Sequence, residues 1–152
     1  MTIGIENRQR LVTLDRRKIR RHLRALLERL AMKDAEVSLV FTDDEGIRAL
    51  NRDYLGRDWP TNVISFAQGE GQWGHLNPQL LGDIVVNVER VQKDASVGEL
   101  PFTDVLDFFL IHGLLHLLGY EHEGERTDEA ERMERKENEL FFSLKGYGLD
   151  RA

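Results

Sequence analysis

Cysteine is missing from the 152 residues. Its absence excludes a disulfide framework, a thiolate zinc centre, iron–sulfur ligation and a cysteine nucleophile together. Any metal has to be held by histidine and carboxylate. A long hydrophobic run is also missing: the most apolar stretch, Val105 to Leu118, is too short to span a bilayer and is interrupted by Asp107, His112 and His116. The first residues, MTIGIENRQRL, lack the apolar core of a secretory signal. These absences predict a cytoplasmic protein with no membrane partner. Positive charge is in deficit, with 21 Lys+Arg against 27 Asp+Glu and a formal net charge of -6. The molecule as a whole is therefore not a general polyanion binder, and any nucleic-acid surface must be local.

What is present is enough for one core. Hydrophobic residues make up 41% and charged residues 32%, the balance of a soluble globular chain, and the length is that of a single domain over residues 1–152. No repeat, low-complexity tract or linker divides it. Charge is unevenly spread: Arg8 to Arg29 holds nine Lys or Arg and two Asp or Glu, whereas Glu121 to Glu139 holds four and nine. In the basic segment Ile19, Leu23, Leu26, Leu27 and Leu30 have helical spacing, which puts Arg17, Arg20, Arg21 and Arg24 on the opposite stripe. That stripe suits either phosphate contact or plain solvation.

Alternating apolar residues predict strands at Thr2 to Asn7 and Glu36 to Thr42, flanking the basic helix. Asp43 or Asp44 can cap a second helix through Ile47, Leu50 and Tyr54, bounded by Gly56 and Pro60. Asn62 to Phe66 and Leu81 to Val88 read as strands, separated by an aperiodic loop from Ala67 to Gln79. Helices follow near Glu89 to Ala95, from Pro101 to Leu118, and from Thr127, the last with Ala130, Met133, Leu140, Phe141 and Leu144 on one face and Gly146 or Gly148 as its stop. This order predicts an α+β fold: a small mixed sheet packed with helices, one of them central and buried.

Inside that buried helix His112 and His116 are four residues apart, so their rings share one face about 6 Å apart along the axis. Gly119 can adopt the left-handed conformation that ends a helix and turns His122 back toward them. Three imidazoles without a thiolate, spaced H-x3-H-x2-G-x2-H, describe a catalytic zinc site with one position left open, with one Zn2+ per chain. His22, on the basic helix, and His75, in the loop, read as ordinary histidines. The same spacing occurs in metzincin peptidases, whose general-base glutamate follows the first histidine. That position is Gly113 here, so the peptidase base is missing, and a glycine within a helix implies either a tightly packed neighbour or space kept for substrate.

The segment His112-Gly-Leu-Leu-His116-Leu-Leu-Gly-Tyr-Glu-His122, together with Leu50-Asn-Arg-Asp-Tyr-Leu-Gly-Arg-Asp-Trp-Pro-Thr-Asn-Val-Ile-Ser-Phe66 and Leu81-Gly-Asp-Ile-Val-Val86, resembles the YbeY endoribonucleases, also described as rRNA maturation factors. The resemblance implies a zinc-dependent, single-strand-specific endoribonuclease acting in 3′-end maturation of small-subunit (16S) rRNA and in ribosome quality control. It carries the metal role to His112, His116 and His122. It implies as partners the small ribosomal subunit, one of its proteins and an Era-type GTPase.

The chain departs from the family pattern twice. The arginine that usually follows the tyrosine of the L-N-x-x-Y block is Leu55, with Arg52 and Arg57 the candidate substitutes, and the usual aspartate of G-Y-D-H is Glu121, a candidate for proton transfer. Arg52, Arg57 and Ser65 are candidate substrate-binding residues, with Trp59 and Trp73 as candidate stacking platforms and Phe66 as a core residue. Two other functions share the metal geometry. One is a zinc peptidase using Asn62 to Phe66 as an edge strand for an extended peptide; the other is a non-catalytic ribosome-assembly factor with a structural metal.

Overall fold

The structure, a computed structural model, describes residues 2–68, 80–120 and 127–149. Strand β1 (Thr2–Asn7) leads through helix α1 (Arg16–Arg29) to β2 (Glu36–Thr42). Helix α2 (Asp44–Leu55), strands β3 (Val63–Ala67) and β4 (Leu80–Asn87), and helices α3 (Val88–Gly98), α4 (Phe102–Leu117) and α5 (Thr127–Lys145) complete the order. The four strands form one sheet in the order β1-β2-β4-β3. β1, β2 and β4 run parallel, and β3 pairs antiparallel with β4 at one edge. The mixed α+β fold expected from the sequence is what the chain adopts, with element boundaries displaced by no more than a few residues.

The start of each early helix is written in one polar side chain. Asp15 accepts the Lys18 N–H, Asp43 accepts that of Gly46, and Asn87 accepts those of Glu89 and Arg90, each satisfying a donor that the first turn leaves over. Asn87 does more, because its amide nitrogen donates to Asp44 and to the Thr61 carbonyl. One buried side chain thus ties the starts of α2 and α3 to the segment leading into β3.

One face of the sheet carries the main core. Ile3, Val37, Leu39, Phe41, Ile84 and Val86 pack there against α1, α3, α4 and α5. The amphipathic period of α1 is borne out: Ile19, Leu23, Leu26 and Leu27 are buried, each contributing about 1.5–3 kcal/mol. Arg17, Arg21 and Arg24 are exposed and Arg20 is partly covered. α4 is buried nearly all round, including Asp104 and Asp107. Its first half meets α1 where His22 Nδ1 lies 2.9 Å from Asp107 Oδ1. The histidines expected to carry chemistry sit in its second half, away from this contact with α1.

The other face is covered only in part. α2 packs Ile47 and Leu50 onto Val40, Ile64, Val85 and Phe66. Tyr54, on the same stripe by sequence, is instead 70% exposed, touching Phe66 edge-on with ring centroids 5.7 Å apart. α2 ends at Gly56 in the left-handed conformation at φ 69°, so the sheet beyond Tyr54 is left open. Among the described residues no helix is long and apolar enough to cross a membrane.

Candidate active site

β3 and the second half of α4 bound a cleft of about 700 Å³, with the segment between α2 and β3 as its rim. Arg57, Trp59, Ser65, His112 and His116 all line it. The rim is fixed from below by Asn51, which is buried and donates its amide to the Trp59 carbonyl at 2.8 Å. Arg48 adds a two-pronged hydrogen bond to Asp58, and that guanidinium holds the Asp58 carboxyl below its ordinary value. Trp59 itself is 56% exposed, available to a flat ligand rather than spent in the core.

His112 and His116 meet as their four-residue spacing requires. Their Nε2 atoms are 3.0 Å apart and their rings lie edge to face with centroids at 4.6 Å. On the far side of its ring, His112 Nδ1 is 2.9 Å from Oε2 of Glu137 on α5. A carboxylate there accepts the Nδ1 hydrogen, which fixes the tautomer and leaves the Nε2 lone pair directed toward His116. Glu137 was not among the candidates from the sequence. The available signal was its place between Met133 and Phe141, on the apolar face of an otherwise charge-rich helix, where it is only 1% exposed.

This pair fits a tetrahedral zinc ion. Bonds of 2.0–2.1 Å at tetrahedral angles would set two ligand nitrogens about 3.3 Å apart, near the separation found. Among the described residues no three His, Cys, Asp or Glu side chains gather as a metal-holding group. His122 and Glu121 lie outside the described residues, as do Trp73 and His75. The helix-ending glycine is as expected. Gly119 is left-handed at φ 94°, and the Gly119 and Tyr120 N–H groups bond back to the His116 and Leu115 carbonyls, the pairing that closes a helix on a left-handed residue.

Gly113 resolves the choice between packing and substrate space. A Cβ there would lie 2.6 Å from Ile84 Cγ2 and 3.1 Å from Val63 Cγ2, so α4 lies directly on β3 and β4 at this point. Ser65 closes the contact, its hydroxyl donating to the Gly113 carbonyl at 2.7 Å. Position 113 thus points into the sheet, where a glutamate has no room, and this geometry argues against the peptidase arrangement. Gly113→Ala is expected to cost about 1–3 kcal/mol through overpacking, readable as a lower midpoint in denaturant with an unchanged slope. Undiminished stability would mean that α4 can lift from the sheet without penalty.

The remaining candidates separate clearly. Arg57 lines the cleft, as does Leu55 at the position of the missing arginine. Arg52 is exposed and bonded to its neighbour Asp53 at 3.1 Å, and it is not among the cleft residues. Ser65 lines the cleft while its hydrogen is committed to α4.

Comparisons with known proteins place this α+β fold and its imidazole-lined cleft in a family. A family profile described as endoribonuclease YbeY matches residues 4–145. The endoribonuclease YbeY of Syntrophus aciditrophicus is 50% identical over 150 residues, covering 99% of this chain and 94% of that protein. The endoribonuclease YbeY of Geobacter sulfurreducens is 46% identical over 149 residues, covering 98% and 99%. The chain belongs to the endoribonuclease YbeY family, and its enzyme class is that of an RNA-cleaving hydrolase. The solution structure of TM1509 from Thermotoga maritima shares the fold, with a TM-score of 0.67 at 24% identity over 95% of this chain and 90% of that one.

Proposed function

We propose that the protein is a single-strand-specific, zinc-dependent endoribonuclease whose metal is held by His112, His116 and His122. The observation that carries this reading is the convergence of two Nε2 atoms at 3.0 Å in an open cleft, one ring oriented by a buried carboxylate. A divalent ion bound there supplies Lewis acidity toward a phosphoryl oxygen. The chain's own residues do the rest. Glu137 holds the His112 ring in one tautomer and one orientation. Arg57 is the cleft's cation for the phosphodiester backbone, taking the part of the arginine missing at Leu55, and Trp59 offers a face for a splayed base. Glu121 follows the helix-ending turn and is the carboxylate proposed for proton transfer. Ser65, through its bond to Gly113, positions α4 beside the substrate strand.

In the cell this activity serves 3′-end maturation of small-subunit rRNA and ribosome quality control in the cytoplasm. The partners are the small subunit, one of its proteins and an Era-type GTPase. These assignments follow the family to which the chain belongs.

Purified protein is expected to carry one equivalent of zinc by plasma mass spectrometry and to cut an unstructured RNA at internal positions, leaving a duplex of the same sequence intact. Chelation should abolish cutting, and added zinc should restore it. Inactivity of folded, zinc-loaded protein on every single-stranded RNA offered would overturn the reading. Cutting that survives complete removal of metal would overturn its zinc-dependent part.

A further inference from the structure

We propose that the open end of the sheet beyond α2 is a nucleobase-binding subsite, taking a base from the same RNA strand whose backbone occupies the histidine cleft. The proposal rests on the endoribonuclease reading and adds a second contact region on the opposite side of β3. A groove of about 390 Å³ lies there, lined by Ser38, Tyr54, Phe66, Gln68 and Asp83 among others, a size within the usual range for ligand sites.

The alternation of β3 places the two regions back to back. Ser65 faces α4 and bonds to Gly113, whereas its neighbour Phe66 packs on the α2 side. Successive residues of a strand are only about 3.3 Å apart, so one edge strand separates cleft from groove. The same adjacency recurs on α2, where Leu55 lines the cleft and Tyr54 lines the groove. A single strand leaving the cleft over this rim therefore enters the groove without crossing any other described element.

The groove's chemistry suits a base. Tyr54 is 70% exposed yet braced by its edge contact with Phe66 at 5.7 Å, so it presents an aromatic face whose orientation is supported from below. Such faces bind unpaired bases by stacking, with little regard to sequence. Beside it, Gln68 Nε2 donates to Asp83 Oδ2 at 3.3 Å, and Ser38 on the next strand offers a hydroxyl. These are short polar groups able to meet the edge of a stacked base. The continuity with the cleft selects RNA as the occupant over a separate partner.

Binding of 2′-O-methyl oligocytidines of two, four, six and eight residues to wild type, Tyr54→Leu and Tyr54→Trp tests this. Leucine keeps an apolar contact with Phe66 and removes the flat ring at an exposed position, so folding is spared; tryptophan restores a ring. Wild-type affinity should rise once the strand is long enough to reach the groove. Tyr54→Leu should lose about 5- to 150-fold on the longer oligomers, with the two-residue oligomer unaffected and Tyr54→Trp close to wild type. Equal binding of wild type and Tyr54→Leu at every length would overturn the subsite, as would an equal loss on the two-residue oligomer, which would assign the ring to the cleft itself. Failure of wild type to cut or bind any RNA would instead bring down the endoribonuclease reading and the subsite with it, whereas RNA cutting with an indifferent Tyr54 brings down the subsite alone.

Discussion

Replacing His116 by alanine is expected to empty the cleft of zinc and to reduce RNA cleavage by more than 100-fold. The estimate is bounded from below by a milder lesion. Loss of the partner that orients a metal-binding histidine typically lowers metal affinity or activity by about 10–100-fold, and removal of a ligand must exceed that. Glu137→Gln supplies the comparison in this molecule. The amide keeps the size of the buried carboxylate and can still accept the Nδ1 hydrogen, but without the charge, so its zinc affinity should fall within that range. Metal content by plasma mass spectrometry, with cleavage rates on the same preparations, checks both variants. A His116→Ala protein that is folded, retains one zinc and cuts RNA would refute the site.

The order of these two effects has a structural cause. His116 sits in the second half of α4 and lines the cleft directly, whereas Glu137 reaches it through His112 from α5, at the other end of a 2.9 Å contact. A change at Glu137 alters how one imidazole is held, while a change at His116 removes an imidazole proposed to hold the metal. Stability should move in the opposite sense. His116 is only partly buried, while Glu137 is fully buried. Its full truncation to alanine would add a cavity to the electrostatic loss, and glutamine is the cleaner probe for that reason.

What could be read from the sequence and what could not divides along the range of the interactions. The α1 stripe, the cap at Asp43, the left-handed Gly119 and the meeting of His112 with His116 are local, fixed by periodicity or by residues a few positions apart. Glu137 is 25 positions from His112, and nothing in its own neighbourhood says that a carboxylate at a core position answers an imidazole on another helix. Gly113 was legible as an anomaly but not as a solution, since the contact that demands it comes from Ile84 and Val63 on two strands. Tyr54 misled for a related reason: helical spacing assigns it to the stripe of Ile47 and Leu50, but whether a stripe is covered depends on how far the opposing surface extends. His22 reads as an ordinary histidine, and its contact with Asp107, 85 positions away, joins it to a buried ionic group whose cation, Lys145, lies on another helix.

That group supports the second large effect: Lys145→Met is expected to cost about 3–5 kcal/mol of stability, the range found when a buried ion pair loses one partner. The ammonium lies 3.3 Å from Asp104 Oδ1 and pairs with Asp107 Oδ2, and its side chain is only 10% exposed. Tyr147 donates to Asp104 from the other side, at 2.9 Å. Methionine keeps most of the packing volume, so the loss reports two carboxylates left in the interior without their cation. For a chain of this size it corresponds to a fall in melting temperature of about 6–20 °C.

The pH dependence separates this cause from lost packing. Burial disfavours the Lys145 ammonium, but the Asp107 and Asp104 carboxylates outweigh it and raise the folded pKa above the ordinary 10.5. A group whose pKa rises on folding adds stability that is fully present below its unfolded value and is lost as pH climbs through the folded one. Wild type should therefore lose stability above about pH 10.5, while Lys145→Met, with no ammonium to titrate, lacks that component, so the gap between them narrows in strong base. A gap that stays constant from pH 7 to beyond that point would assign the destabilisation to packing. Because Asp104 and Asp107 lie on the same helix as His112 and His116, the ammonium that compensates them also secures the first half of α4, from which the paired imidazoles are projected into the cleft.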